Sequence, residues 1–360
     1  MSKQVKTKED TMSTNNTATQ SALGTVVDLG KPWRGVGPFL FASRHVDKYP
    51  RGNAQGGPAS GLDGRPLGSD FNHPSGWSMY HGHRVPGFPA HPHRGFETVT
   101  IARQGIVDHA DSTGAGARYG DGDVQWVTAG RGVSHSEMFP LVNQDADNPF
   151  ELYQLWLNLP AANKGAAPEF TMQWHEDIPV VTGSEGAKVT VIAGEFDGTA
   201  PLAPPKASWA ASRDSDVAIW LIDLEPNSSI EIPATNSDAA ERLLYVHGDA
   251  KASVSVDGTT VHDGQGFAQT TRSRLTLATS AVPATVLVLQ GAPLNEPVVS
   301  YGPFVMNTDA EIEQAFADYR RDQFGGWPWP DTAPVYDLDA PRFAMYGDGR
   351  IEHPREFAAQ

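Results

Sequence analysis

The stretch from His91 to Glu137 constrains this chain more than any other. It opens with His91-Pro92-His93-Arg94-Gly95-Phe96-Glu97 and closes with Gly130-Arg131-Gly132-Val133-Ser134-His135-Ser136-Glu137. Residues two apart on an extended strand share a face. His91 and His93 therefore form one pair of donors, and His135 with Glu137 forms a second, one hairpin later. Neutral imidazole together with carboxylate suits Fe(II), Mn, Co, Ni, Cu or Zn better than the oxygen-only preference of Ca or Mg. Four protein ligands on a six-coordinate ion leave two positions for water, O2 or a chelating substrate. Spacing alone leaves the carboxylate open. Glu97 lies six residues after His91 and on a regular strand shares the histidine face, Glu137 shares the face of His135, and a one-residue bulge decides between them. The carboxylate that is not a ligand can orient an imidazole from behind. A lone His-x-His is equally the mark of two buried histidines bonded to backbone carbonyls.

The rest of the sequence points to an all-β frame of about two domains. With 36 Gly and 28 Pro in 360 residues, turns are abundant, and short apolar runs recur between turn signals, as in a sandwich or barrel. Thr25–Leu29, Phe96–Gln104, Ile106–Ala110, Gly122–Val127 and Glu151–Leu159 read as strands of a first unit. Val189–Glu195, Val217–Leu224, Arg242–His247, Ala252–Val256, Arg274–Ala278 and Ala284–Gln290 read as strands of a second. Residues 1–24 are expected to be a disordered tail, with Met12 an alternative start. Residues 25–160 form a first, metal-binding barrel, 161–188 a linker, 189–305 a second barrel, and 306–360 a helix with an extension. Thr308-Asp309-Ala310-Glu311 is a capping box, and Ile312, Ala315, Phe316 and Tyr319 follow at helical spacing. The segment Lys48–Pro89 is a long loop for a compact domain, read as a lid, a subunit contact or a solvated insertion. The tail after Gly325 is expected to lie across the body or reach a partner.

Several classes are excluded. There is no cysteine, hence no disulfide, thiol catalysis or thiolate metal site. The formal charge of −16 disfavours direct nucleic-acid binding or attraction to an anionic membrane. No apolar run is long enough to span a bilayer, and no secretory signal is visible, so a cytoplasmic location is expected. Nucleophile-elbow, Walker and dinucleotide fingerprints are missing. Other polar residues have plainer readings. Arg94 and Arg131 bond turn carbonyls more readily than an anionic substrate. His81 and His83 lie in the long loop, with a second metal there the lesser alternative. His109 reads as a strand-surface residue, and Asp123 and Gln125 read as structural. His175, His247 and His262 form no donor set, so the second barrel is expected to hold no metal.

The two motifs resemble the signature of the pirins, a family of the cupin superfamily. The similarity runs through His91–Thr100, Asp121–Glu137, Gln154–Pro160 and Gly302–Thr308. It implies a bicupin, two antiparallel jelly-roll β-barrels with a short C-terminal helix and an extended tail, and metal in the first barrel only. It also implies His91, His93, His135 and Glu137 as ligands, which turns the choice of carboxylate toward Glu137, and a metal that is usually iron. Some members are similar to quercetin (flavonol) 2,3-dioxygenases. For such an activity the substrate is a small flavonol-like aromatic and Glu137 a general base. Other members act as non-catalytic regulators through protein contacts, and a purely structural metal is a third reading. The Lys48–Pro89 loop and the tail exceed the family pattern, and both can reshape the pocket mouth. The sequence carries no sign of oligomeric state.

Overall fold

The computed structural model describes residues 21–183 and 186–355. Its first barrel is built from two six-stranded sheets. One runs, in spatial order, Glu169–Gln173, Asp123–Thr128, Phe96–Gln104, Asn148–Asn158, Phe39–Tyr49 and Trp33–Arg34. The other runs Ile351–Glu352, Phe343–Met345, Gly116–Gly120, Ile106–Asp111, Val133–Met138 and Gly87–His93. The second barrel pairs a seven-stranded sheet with a four-stranded one.

Period-two alternation explains how the barrels join. On the strand Phe96–Gln104, Val99 and Ile101 face the second barrel, whereas Ala102 faces the interior of the first. Tyr153, Leu155 and Leu157 repeat this pattern one strand over, with Leu152 turned inward. From the other side Ile219, Leu221, Leu243, Leu287 and Leu289 meet them, while Trp220, Leu244, Val286 and Val288 fill the second barrel. Each large sheet is thus apolar on both faces, and the interface is a third core. Arg103 also bridges the barrels, with Nη2 2.6 Å from Asp223 Oδ1.

Three sequence boundaries shift. The strand expected at Thr25–Leu29 in the first barrel spans Gly24–Asp28 and pairs antiparallel with Gln265–Gln269 of the second. The linker 161–188 contains two edge strands. Glu169–Gln173 pairs with Asp123–Thr128 in the first barrel, and Val180–Thr182 with Lys188–Ala193 in the second. Phe170 and Met172 supply the short alternation that anchors the former in the first core. The expected N-terminal tail falls almost wholly on residues 1–20, outside the described ones.

The long loop is a folded cap. The Arg65 guanidinium is buried, 2.6 Å from Asp70 Oδ2, and stacks 3.4 Å from the Trp77 ring centre. The Met79 N–H also donates to Asp70. The helix Asp309–Asp322 starts at Thr308 as the capping box requires, and Ile312, Ala315, Phe316 and Tyr319 pack on Phe304 and Phe324. The tail lies across the first barrel, the first of the two courses expected for it. Phe343–Met345 adds a strand beside Gly116–Gly120, and the Trp329 indole N–H donates to the Asp111 carbonyl at 2.8 Å. No helix among the described residues is long and apolar enough to cross a membrane.

Candidate metal centre

His91 and His135 face each other directly across an antiparallel ladder, and His93 follows two residues along the same strand. Ring centres lie 4.5 Å apart for His91–His135, 4.8 Å for His91–His93 and 4.9 Å for His93–His135. One nitrogen from each ring lies within 4.8 Å of the others. Gly132 makes the turn that delivers His135. Its φ is +132°, and a Cβ there would meet the Phe324 ring at 2.5 Å.

Burial pushes the pKa of all three imidazoles down, and for His93 and His135 the neighbouring rings push further the same way. They are therefore neutral, the form that ligates. The Pro89 carbonyl accepts from His91 Nδ1 at 3.0 Å, which leaves Nε2 with its lone pair. The ring nitrogens of His93 and His135 make no well-formed hydrogen bond. Buried donor or acceptor atoms left this way cost about 1–3 kcal/mol each unless something fills them. A divalent ion shared by three converging lone pairs fits that need. His91 does bond a backbone carbonyl, as a core histidine would, but through Nδ1 alone, which leaves its other nitrogen to the ion.

Glu137 lies beside the triad without being one of its three members. Its Oε2 is 3.8 Å from His135 Nε2. Thr100 Oγ1 donates to Oε1 at 3.2 Å and Gln154 Nε2 to Oε2 at 2.8 Å. Glu97 is elsewhere. Its carboxylate accepts from Thr128 Oγ1 and Ser208 Oγ, both at 2.6 Å, on the side facing the second barrel. The cause is Gly95, at φ +87°, where a Cβ would meet the Val305 carbonyl oxygen at 2.0 Å. That corner sends the two halves of the motif into different sheets, so face parity does not carry from His93 to Glu97.

Other sequence expectations divide. Arg94 does not bond turn carbonyls or face a substrate: its guanidinium pairs with Asp318 of the helix at 2.7 Å. Arg131 is exposed. His109 is wholly buried rather than on the surface, 5.4 Å from the His135 ring centre, with Nε2 3.2 Å from Asp111 Oδ2. Asp123 is structural, accepting from the Gly120 and His175 N–H groups and from Arg342. Gln125 is buried opposite Thr100 with neither amide atom hydrogen-bonded. His81 bonds the Gly68 carbonyl and joins no donor cluster among the described residues. Asp123, His175 and Glu176 converge, but both carboxylates are already paired with Arg342. In the second barrel Val191, Trp220, Val246, Phe267 and Val288 occupy the interior, and His247 instead bonds the Tyr153 hydroxyl between the barrels.

A cavity of about 840 Å³ runs from the mouth of the first barrel to its junction with the second, where His247 and Asp263 line it. Phe41, His45, Phe71, Tyr80 and Phe88 form its walls, and it reaches Gln154, the residue that holds Glu137. Phe88 stands 6.2 Å from the His91 ring, centre to centre. Sequence reading gave Phe71 and Tyr80 no role, because only the fold of the long loop brings them here.

Two antiparallel barrels back to back, one enclosing a histidine triad and the other filled with hydrocarbon, define a bicupin with a candidate metal site. The sequence matches the Pirin family over residues 68–157 and the pirin C-terminal cupin domain over residues 219–325. A Pseudomonas aeruginosa protein provisionally named a quercetin 2,3-dioxygenase is 40% identical over 240 residues, covering 66% of this chain and 79% of that one. A pirin-like protein of Solanum lycopersicum is 37% identical over 242 residues, 65% of this chain and 75% of that one. The crystal structure of a quercetin 2,3-dioxygenase from Acinetobacter baumannii superposes with a TM-score of 0.64 at 29% identity, over 85% of this chain and 94% of that chain. The chain belongs to the pirin family.

Proposed function

We propose that this protein is a metal-dependent dioxygenase acting on a small, planar, hydroxylated aromatic of the flavonol type. The observation that carries this reading is the set of three neutral, converging imidazoles one residue behind a cavity wall: Phe88 and Gln154 line the cavity, and they touch His91 and Glu137 respectively. The names of the Pseudomonas and Acinetobacter relatives point the same way. His91, His93 and His135 would hold the ion, with Glu137 close enough to join them. Fe(II) is the first choice, and Mn, Co, Ni, Cu or Zn suit the same donors. When bound, the ion supplies Lewis acidity and a site for O2.

The chain's own contribution is positioning and proton handling. Phe41, Phe71 and Phe88 offer ring faces and edges to a flat substrate. Thr100 and Gln154 fix the Glu137 carboxylate from the opposite sheet. Held so, it can take the proton of a substrate hydroxyl as general base. Phe71, Trp77 and Tyr80 of the folded cap line the cavity beside the barrel strand.

Iron-loaded protein incubated with quercetin in air should deplete it with matching O2 uptake. His91→Ala and His135→Ala should fall to the metal-free background. Glu137→Gln should slow turnover by roughly 10²- to 10⁴-fold, and its metal content tells whether the carboxylate is also a ligand. Depletion no faster than the His91→Ala control would overturn the proposal.

A further inference from the structure

We propose that His45 is a substrate-recognition residue, its Nε2 accepting a hydrogen bond from a phenolic hydroxyl of the aromatic bound in the cavity. This rests on the dioxygenase reading and adds to it a residue outside the metal set. The strand Phe39–Tyr49 turns Phe41, Ser43 and His45 into the cavity, along with Gln154 of the neighbouring strand. His45 stands opposite Leu152, two positions along from the Ser43–Gln154 pair, so it sits on the same wall as the residue that holds Glu137.

Three groups fix which way the His45 ring presents its lone pair. Asp47 is buried and accepts the Ser78 N–H at 2.8 Å and the Tyr80 hydroxyl at 2.6 Å. Tyr80 has one proton, and it goes to Asp47. The Tyr80 oxygen, 3.0 Å from His45 Nδ1, is then the acceptor of that contact, so Nδ1 carries the hydrogen. Nε2 is left as an acceptor, and no group among the described residues bonds it. Burial pushes the His45 pKa down to about 4, so the ring is neutral at pH 7. Tyr80 and Phe88 clamp the ring edge-on, at 4.9 and 6.1 Å between centres. A ring that merely filled the wall would need no such ordered chain of donors. A neutral acceptor with a fixed direction rewards a hydroxyl, and offers nothing to an ether or a bare ring.

The chain Asp47–Tyr80–His45 also gives the long loop a part in recognition. Tyr80 and Phe71 come from the cap, and Asp47 and His45 from the barrel strand. Cap and barrel together set the acceptor.

The test is a titration of zinc-loaded protein, which binds without turnover, with quercetin and with flavone, its unhydroxylated parent. His45→Phe keeps an aromatic ring in the clamp and removes the acceptor. It should weaken quercetin binding about tenfold, as expected for one lost hydrogen bond, and leave flavone unchanged. His45→Gln, which restores an acceptor, should recover part of the loss, and Tyr80→Phe should cost quercetin a few-fold through the freed tautomer. Equal loss for both ligands, or no loss for quercetin, overturns the assignment of His45 alone if the unmodified protein still binds and turns over quercetin. No quercetin binding by the unmodified protein overturns this inference and the dioxygenase reading together.

Discussion

Glu97 and Glu137 are both buried, and only Glu137 sees the histidines. Glu97 sits between the barrels, where burial pushes its pKa from the ordinary 4.5 to about 7 against the pull of its Ser208 and Thr128 bonds. A carboxyl raised on folding favours the native state while protonated. That advantage is complete below pH 4.5 and is lost as pH rises through 7. Glu97→Gln stays neutral throughout, so its stability relative to the unmodified protein should grow across pH 4.5–8 by up to about 3 kcal/mol. Urea melts of the two proteins across that range check this, and a constant gap would refute it. The pair also marks how far residue-level reading reached. His91, His93 and His135 were legible because side-chain parity holds within one strand. It failed for Glu97 because Gly95 turns a corner between the histidines and the glutamate. It failed for His109 because the outer face of its strand is covered too, so neither face reads as surface.

Single elements were legible where their signals are local. The capping box at Thr308 announces its helix in four residues. The strand Phe343–Met345 had no such signal. Three residues become a strand only because Gly116–Gly120 offers an open edge. What locks the tail there is Arg118. Its guanidinium is buried, 2.7 Å from Asp108, and donates to the carbonyls of Tyr336, Asp337 and Ala340. Asp108→Ala would leave that charge without its counter-ion. It should cost about 3–5 kcal/mol and expose the tail to protease ahead of the rest of the chain. Limited proteolysis and thermal melting measure both, and a variant as resistant as the parent would remove the lock.

Over the whole molecule the two barrels share more than a seam. The residues between them, from Val99 and Leu155 on one side to Ile219 and Leu289 on the other, are as buried as either barrel's own core. Calorimetry should show one transition for both halves. Leu155→Ala, costing about 2–5 kcal/mol, should move that transition as a unit. Two separated endotherms would contradict the shared core. The two-barrel plan was legible from strand spacing and from the motifs. The crossing of segments between barrels was not, because a strand's sequence specifies its faces and not which sheet edge it meets.

Those crossings bear on how the protein is made. The ladder begun by Gly24–Asp28 waits for Gln265–Gln269, and the sheet that carries His91 and His135 is completed by residues beyond Phe343. On the ribosome the early half therefore emerges with its histidines in place in sequence but without its outer wall. It spends most of translation as an unfinished barrel with exposed edges. Unpaired strand edges of that kind are the usual route to misassembly during synthesis, and the last residues to emerge are the ones that cover the Gly116–Gly120 edge.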